Sequence, residues 1–103
     1  MKAQEQLEIL RVWTVSTQHI SHTDATQLSE FGALCVYEYG EGFWIMVPDA
    51  SELTDDDLLA DLRSADFSPA IGNILTIASK SAVEFVRLDA DGPVYTFLPQ
   101  FHW

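Results

Sequence analysis

Ser16-Thr17-Gln18-His19 is the first stretch of this chain equipped for chemistry, two hydroxyls followed by an imidazole. A hydroxyl beside a histidine can become a nucleophile, and the imidazole can serve as base or metal ligand. His22 follows three residues later. Far along the chain, LDADGP places Asp89 and Asp91 either side of an alanine, a spacing in which carboxylates can chelate a hard cation. The closing LPQFHW sets His102 between Phe101 and Trp103, with a carboxylate on Trp103 as a further oxygen ligand.

Each group also has a plainer use. Ser16 and Thr17 can bond loop backbone, and His19 can be packed with its ring nitrogens satisfied. Histidines at i and i+3 suit a metal only on a regular helix, and His19 lies before the helix cap. Asp and Gly are favoured in turns for backbone reasons alone, and terminal aromatics supply burial area. The DxDG string has the form of the nucleophile loop of haloacid-dehalogenase-type phosphatases. That loop follows the first strand, whereas here it joins the last two expected strands. No glycine-rich phosphate loop, cysteine pair or basic patch is present.

The elements that position these residues follow from periodicity and caps. ILRVWTV (9–15) is rich in branched and aromatic side chains and reads as a strand. Ser21 with Asp24 forms a capping-box pattern, and Ala25, Leu28 and Phe31 continue at helical spacing, giving a helix over 22–31. ALCVYEY (33–39) and FWIMV (43–47), separated by GEG, predict a hairpin whose glycines tolerate positive φ. Thr54 with Asp57 repeats the capping logic before Leu58, Leu59, Leu62 and Ala65. The acidic stretch DASELTDDD lacks the glycine and terminal glutamate of a calcium-binding EF-hand, so it reads as solvated charge at a helix start. Ser68-Pro69 opens a helix carrying Ile71, Ile74, Leu75 and Ala78 to about Ser79. VEFVRL (83–88) and VYTFL (94–98) read as the last two strands.

The order β-α-β-β-α-α-β-β predicts a single α+β domain over 1–103. We expect a two-layer α/β sandwich, a ferredoxin-like variant with an extra C-terminal strand and its helices on one face. The other face is left open, and an aromatic-rich open face would mark a partner or a second copy. Should the first strand and VEFVRL be parallel neighbours, STQHIS and LDADG emerge at one sheet end. His19, His22, Asp89 and Asp91 can then converge.

Composition limits what such a domain does. The 103 residues are 48% hydrophobic and 12% aromatic, ample for one core. Sixteen acidic against five basic residues give a formal charge of −11, which repels nucleic-acid phosphates and anionic lipid. Solubility, a basic protein partner, a cation or imitation of DNA suits that charge. Cys35 is the sole cysteine and cannot form an internal disulfide or a thiolate zinc cage; within ALCVYEY it is expected to be a small buried hydrophobe. The polar start MKAQEQLEI lacks a signal peptide's apolar core, and FWIMVP is too short to span a bilayer, so a cytoplasmic protein is expected.

STQHIS, YEYGEGFWIMVP, RLDADGP and LPQFHW, in this order, make the chain resemble a family of small uncharacterised bacterial proteins associated with phages, plasmids and other mobile elements. The pattern is ST-x-H-[IV]-[ST], D-x-DG and a closing LP-x-[FY]-x-W. It matches Ser16, Thr17, His19, Asp89, Asp91, Gly92, Pro99 and Trp103, and leaves out His22 and His102. The family has no established activity that the resemblance could carry over to this chain, and no cofactor is expected; its setting suggests an accessory or host-interference role.

The leading expectation is therefore a domain that binds another protein or pairs with a second copy through aromatic surface, without direct contact to nucleic acid or membrane. An enzyme reading has His19, Asp89 and Asp91 holding a divalent cation, with Ser16 or Thr17 near the reacting group of a hydrolytic or phosphoryl-transfer step. A third reading is a DNA mimic, with aspartates of the acidic helices and adjoining loop spaced like phosphates.

Overall fold

The computed structural model describes residues 7–32, 34–49 and 57–102. Strand β1 (Val12–Ser16) runs into a single 3-10 turn (Thr17–His19) and then helix α1 (His22–Leu28). A hairpin of β2 (Val36–Tyr39) and β3 (Gly42–Met46) follows, then α2 (Asp57–Ser64), α3 (Pro69–Lys80) and β4 (Phe85–Asp89). The four strands form one mixed sheet in the order β1-β4-β3-β2. β4 is parallel to β1 and antiparallel to β3, with Ser16 opposite Asp89 and Gly42 opposite Asp89 on the other side. The architecture is the expected two-layer α+β arrangement, with β1 at a sheet edge. No helix among the described residues is long and apolar enough to cross a membrane.

Caps decide where the helices start. Ser21 accepts from the Asp24 N–H while Asp24 accepts from the Ser21 N–H, completing the capping box of α1. Ser68 caps α3 with Pro69 in its first turn, where a missing N–H costs nothing. Asp24 does more than its own helix requires. Its Oδ1 accepts from the Ser68 N–H at 2.7 Å, and the Ser68 hydroxyl donates at 2.6 Å to Oδ2, the oxygen that also accepts from the Ser21 N–H. One fully buried carboxylate thus ties together the first turns of two helices. Thr54 and the acidic stretch 50–56 lie outside the described residues.

The core forms between these helices and one face of the sheet. Val15, Phe43, Ile45, Val86 and Leu88 supply the strand side; Leu28, Leu58, Leu62, Ile71, Ile74, Leu75 and Ala78 supply the helix side. Strand side chains alternate between faces, so Thr14, Tyr37, Tyr39, Trp44, Met46, Phe85 and Arg87 project from the opposite face. That pleat also corrects the expectation for Cys35, which is exposed because it precedes β2 on the face the helices leave uncovered.

The hairpin glycine is needed for approach, not for backbone sign. No described glycine has positive φ. A Cβ on Gly42 would lie 1.7 Å from the Leu88 carbonyl oxygen, so β3 and β4 come this close only with glycine there.

The strand expected over VYTFL does not form. Residues 93–102 instead lie along the outer edge of β1, held by scattered bonds. Ser16 N–H donates to the Pro93 carbonyl, Phe101 N–H donates to the Gln18 carbonyl, and the Tyr95 hydroxyl donates to the Thr14 carbonyl. An exposed edge strand invites pairing with another chain; here the tail closes it. Trp13 joins by stacking with Phe97 at 6.5 Å and by a tilted contact with Tyr95 at 5.8 Å.

Candidate functional site

The parallel pairing of β1 with β4 delivers Ser16 and Asp89 to the same sheet end. What assembles there is a lock for the tail. Ser16 is buried; its hydroxyl accepts from the Gln18 N–H and caps the 3-10 turn, aiming His19 inward. His19 is 0% exposed. Its Nε2 accepts from the Tyr95 N–H at 2.8 Å, and Nδ1 lies 2.7 Å from the Pro99 carbonyl. A carbonyl offers no proton, so Nδ1 must carry the hydrogen and the ring is a neutral tautomer with both nitrogens engaged. No lone pair is left for a metal, nor is Nε2 aimed at a hydroxyl.

Asp89 is tied down in the same way. Oδ1 accepts from the Asp91 N–H, forming the turn's own side-chain bond. Oδ2 accepts from the Tyr39 hydroxyl at 2.5 Å and from Arg87 at 3.2 Å. The Asp91 side chain is exposed. Gly92 completes the motif by fit: a Cβ there would come within 2.9 Å of the Val15 backbone. The chain can then turn tightly over the end of β1.

Among the described residues, no group of three His, Cys, Asp or Glu side chains is placed to hold a metal ion. The shared cation site of His19, Asp89 and Asp91 is therefore not formed, for two physical reasons. His19 spends both nitrogens on backbone, and Asp89 spends its oxygens on Tyr39, Arg87 and the turn. Trp103 lies outside the described residues. Thr17 is half-buried and borders a groove of about 430 Å³ between α1 and the β2–β3 hairpin, with Thr26, Ser29, Glu38, Tyr39 and Glu41 also on its walls.

These bonds set the acid response. The Tyr39 hydroxyl, the Asp91 N–H and Arg87 hold the Asp89 carboxyl below the ordinary carboxylate value. Burial, and then the bond to Asp89, pushes the Tyr39 phenol up. For Asp89 the native value is the lower one. Its contribution is complete above the unfolded-chain value of about 3.9 and is lost as pH falls through the native value. For Tyr39 the native value is the higher one, so that contribution is lost as pH rises through it, above about 10. The expected result is that Asp89→Asn melts with a shallower loss of Tm below about pH 4 than the parent chain. Parallel acid slopes would show that Asp89 is not so held.

The open sheet face carries a different set of residues, and sequence reasoning did not single them out as a set. Register places Arg87, Trp44 and Tyr37 in one row across β4, β3 and β2, with Phe85 and Met46 in the next. Arg87 lies over the Trp44 ring at 5.8 Å, and Trp44 meets Phe85 edge to face at 6.1 Å. Tyr37 is 59% exposed and Met46 45%. The signal was present as alternation in YEYGEGFWIM, but both faces of that hairpin are apolar, so alternation alone did not say which faced out.

A family model described as "Family of unknown function (DUF5983) C-terminal domain" matches residues 12–103. No curated protein and no solved structure matches the chain.

Proposed function

The chain belongs to this family of unknown function, and we propose that it acts by binding another protein through the open face of its sheet. The observation that carries this reading is the Arg87–Trp44–Tyr37 row, with Met46 and Phe85 beside it. Trp, Tyr, Arg and Met are the residues enriched at the centres of protein interfaces, and Trp, Tyr and Arg dominate their energetics. Arg87 is already stacked and bonded, which lowers the entropy lost on binding. A formal charge of −11 favours a partner that is basic around its contact patch.

Aromatics on an open sheet also suit stacking of single-stranded nucleic acid. That mode needs cations to track the phosphates. Among the described strand residues, Arg87 is the basic one on this face, and it is committed to Asp89 and Tyr39. The DNA-mimic reading loses Asp24, which is buried as a double cap, while the aspartates at 55 and 56 lie outside the described residues. An accessory role in mobile elements, in which the bound protein belongs to the host, is compatible with a small binding domain of this kind.

The test is capture from extract by the chain and by Trp44→Ala, with circular dichroism confirming that the variant is folded. A protein retained by the parent chain and lost from the variant supports the reading. Equal retention by both removes it.

A further inference from the structure

The two edges of the sheet are finished differently. β1 is closed by the tail, through Ser16 N–H to Pro93 and Tyr95 to the Thr14 carbonyl. β2 is not. The Met46 N–H donates to the Cys35 carbonyl, and Val36 pairs with Ile45, Tyr37 with Trp44 and Glu38 with Phe43. Bonded and non-bonded pairs alternate along an antiparallel ladder. Cys35, Tyr37 and Tyr39 therefore bond inward to β3, and the N–H and C=O groups of Val36 and Glu38 point outward. Among the described residues, none bonds to those outward backbone groups.

We propose that β2 is the docking edge, and that it takes an extended segment of the partner whose residues alternate between basic and apolar. The proposal rests on the binding reading above and specifies its geometry. Strand addition satisfies the outward backbone groups, and alternate side chains then fall on opposite faces. On the open face the added strand lies beside Tyr37 and lengthens the aromatic row, so apolar side chains fit there. On the helix face it lies beside Glu38, whose carboxylate accepts from Ser29, with Glu41 nearby at the hairpin turn. Lysine or arginine fits there. Charge also selects against a second copy as occupant. Two copies of a chain with formal charge −11 repel each other, and the register that sets Glu38 opposite Glu38 is further destabilised by like charges across the strand pair.

The probe is a synthetic peptide of roughly eight residues, about one strand's length, alternating lysine with valine and tyrosine. A second peptide has the same sequence with alternate backbone nitrogens methylated. Amide hydrogen exchange is followed residue by residue. The first peptide should slow exchange at Val36 and Glu38 by about tenfold or more, leaving Tyr37 and Tyr39, already bonded to β3, little changed. The methylated peptide should not. Glu38→Pro should abolish the effect while keeping the β2–β3 ladder, because the lost N–H points outward. Glu38→Lys should shift preference to a peptide with glutamate in place of lysine.

Equal binding of both peptides, or no protection at Val36 and Glu38 while Trp44 fluorescence still responds, overturns the docking edge and leaves the face reading standing. Protection that appears without peptide and grows with protein concentration assigns the edge to a second copy and overturns the basic segment.

Discussion

Asp24→Ala should cost about 4 kcal/mol of folding stability. The carboxylate accepts from Ser21 N–H at 3.0 Å, from Ser68 N–H at 2.7 Å and from the Ser68 hydroxyl at 2.6 Å. Each hydrogen bond to a charged group contributes roughly 1.5–3 kcal/mol, and donors left buried without a partner cost about 1–3 kcal/mol. The effects overlap, since one side chain serves both helix ends, so their sum overstates the loss. In a domain of this size each kcal/mol lowers Tm by about 4–8 °C. Thermal denaturation should therefore show a drop of about 15 °C or more. Ser21→Ala removes only the serine-hydroxyl half of the α1 capping box and should cost about 1 kcal/mol. Equal effects of the two substitutions would show that the link to Ser68 contributes nothing.

His19→Ala should cost about 3 kcal/mol, nearly as much, and for a reason unconnected with catalysis. It leaves a cavity at a fully buried position and strips partners from the Tyr95 N–H and the Pro99 carbonyl. The tail should then detach from β1. Amide exchange at Tyr95 and Phe101 should rise along with the loss of Tm, because Phe101 is held to Gln18 in the same lock. His19→Asn keeps a donor toward Pro99 but no acceptor for Tyr95, and should fall between the two. Metal titration should give the same result for the parent chain and for His19→Ala. A metal affinity lost with His19 would restore the enzyme reading.

Local signals carried the framework well. Ser21 with Asp24 and Ser68 with Pro69 announce helix starts because caps act within three residues, and the stripe Ile71, Ile74, Leu75 and Ala78 lies on one helix face by spacing alone. The parallel approach of STQHIS and LDADG was also foreseeable from element order. What that approach builds was not. The bonds of His19 span 76 and 80 residues and those of Asp24 to Ser68 span 44. Nothing adjacent in sequence marks a histidine whose partners are backbone groups so far away. VYTFL has the composition of a strand, but its ladder positions on β1 are taken by isolated bonds from Pro93 and Tyr95. Cys35 sits in an apolar run and is nevertheless exposed, because the run feeds both faces of β2. The same ambiguity hid Tyr37, Trp44 and Met46. Ser16, Thr17, His19, Asp89 and Gly92 stood out as chemistry-bearing types. Four of them serve the tail lock and its turn, leaving Thr17 on the α1 groove.

The central claim is that the open sheet face binds, while the strand-end residues hold the fold. Calorimetric titration of the captured protein against two folded variants tests it most directly. Trp44→Ala, at the centre of the aromatic row, should weaken binding by about 30-fold or more, the effect of losing one hot-spot residue worth about 2 kcal/mol. Thr17→Ala, at the strand end, should leave affinity within about twofold of the parent chain. The reverse pattern, with Thr17→Ala abolishing binding and Trp44→Ala leaving it intact, would move the site to the strand-end groove and contradict the account.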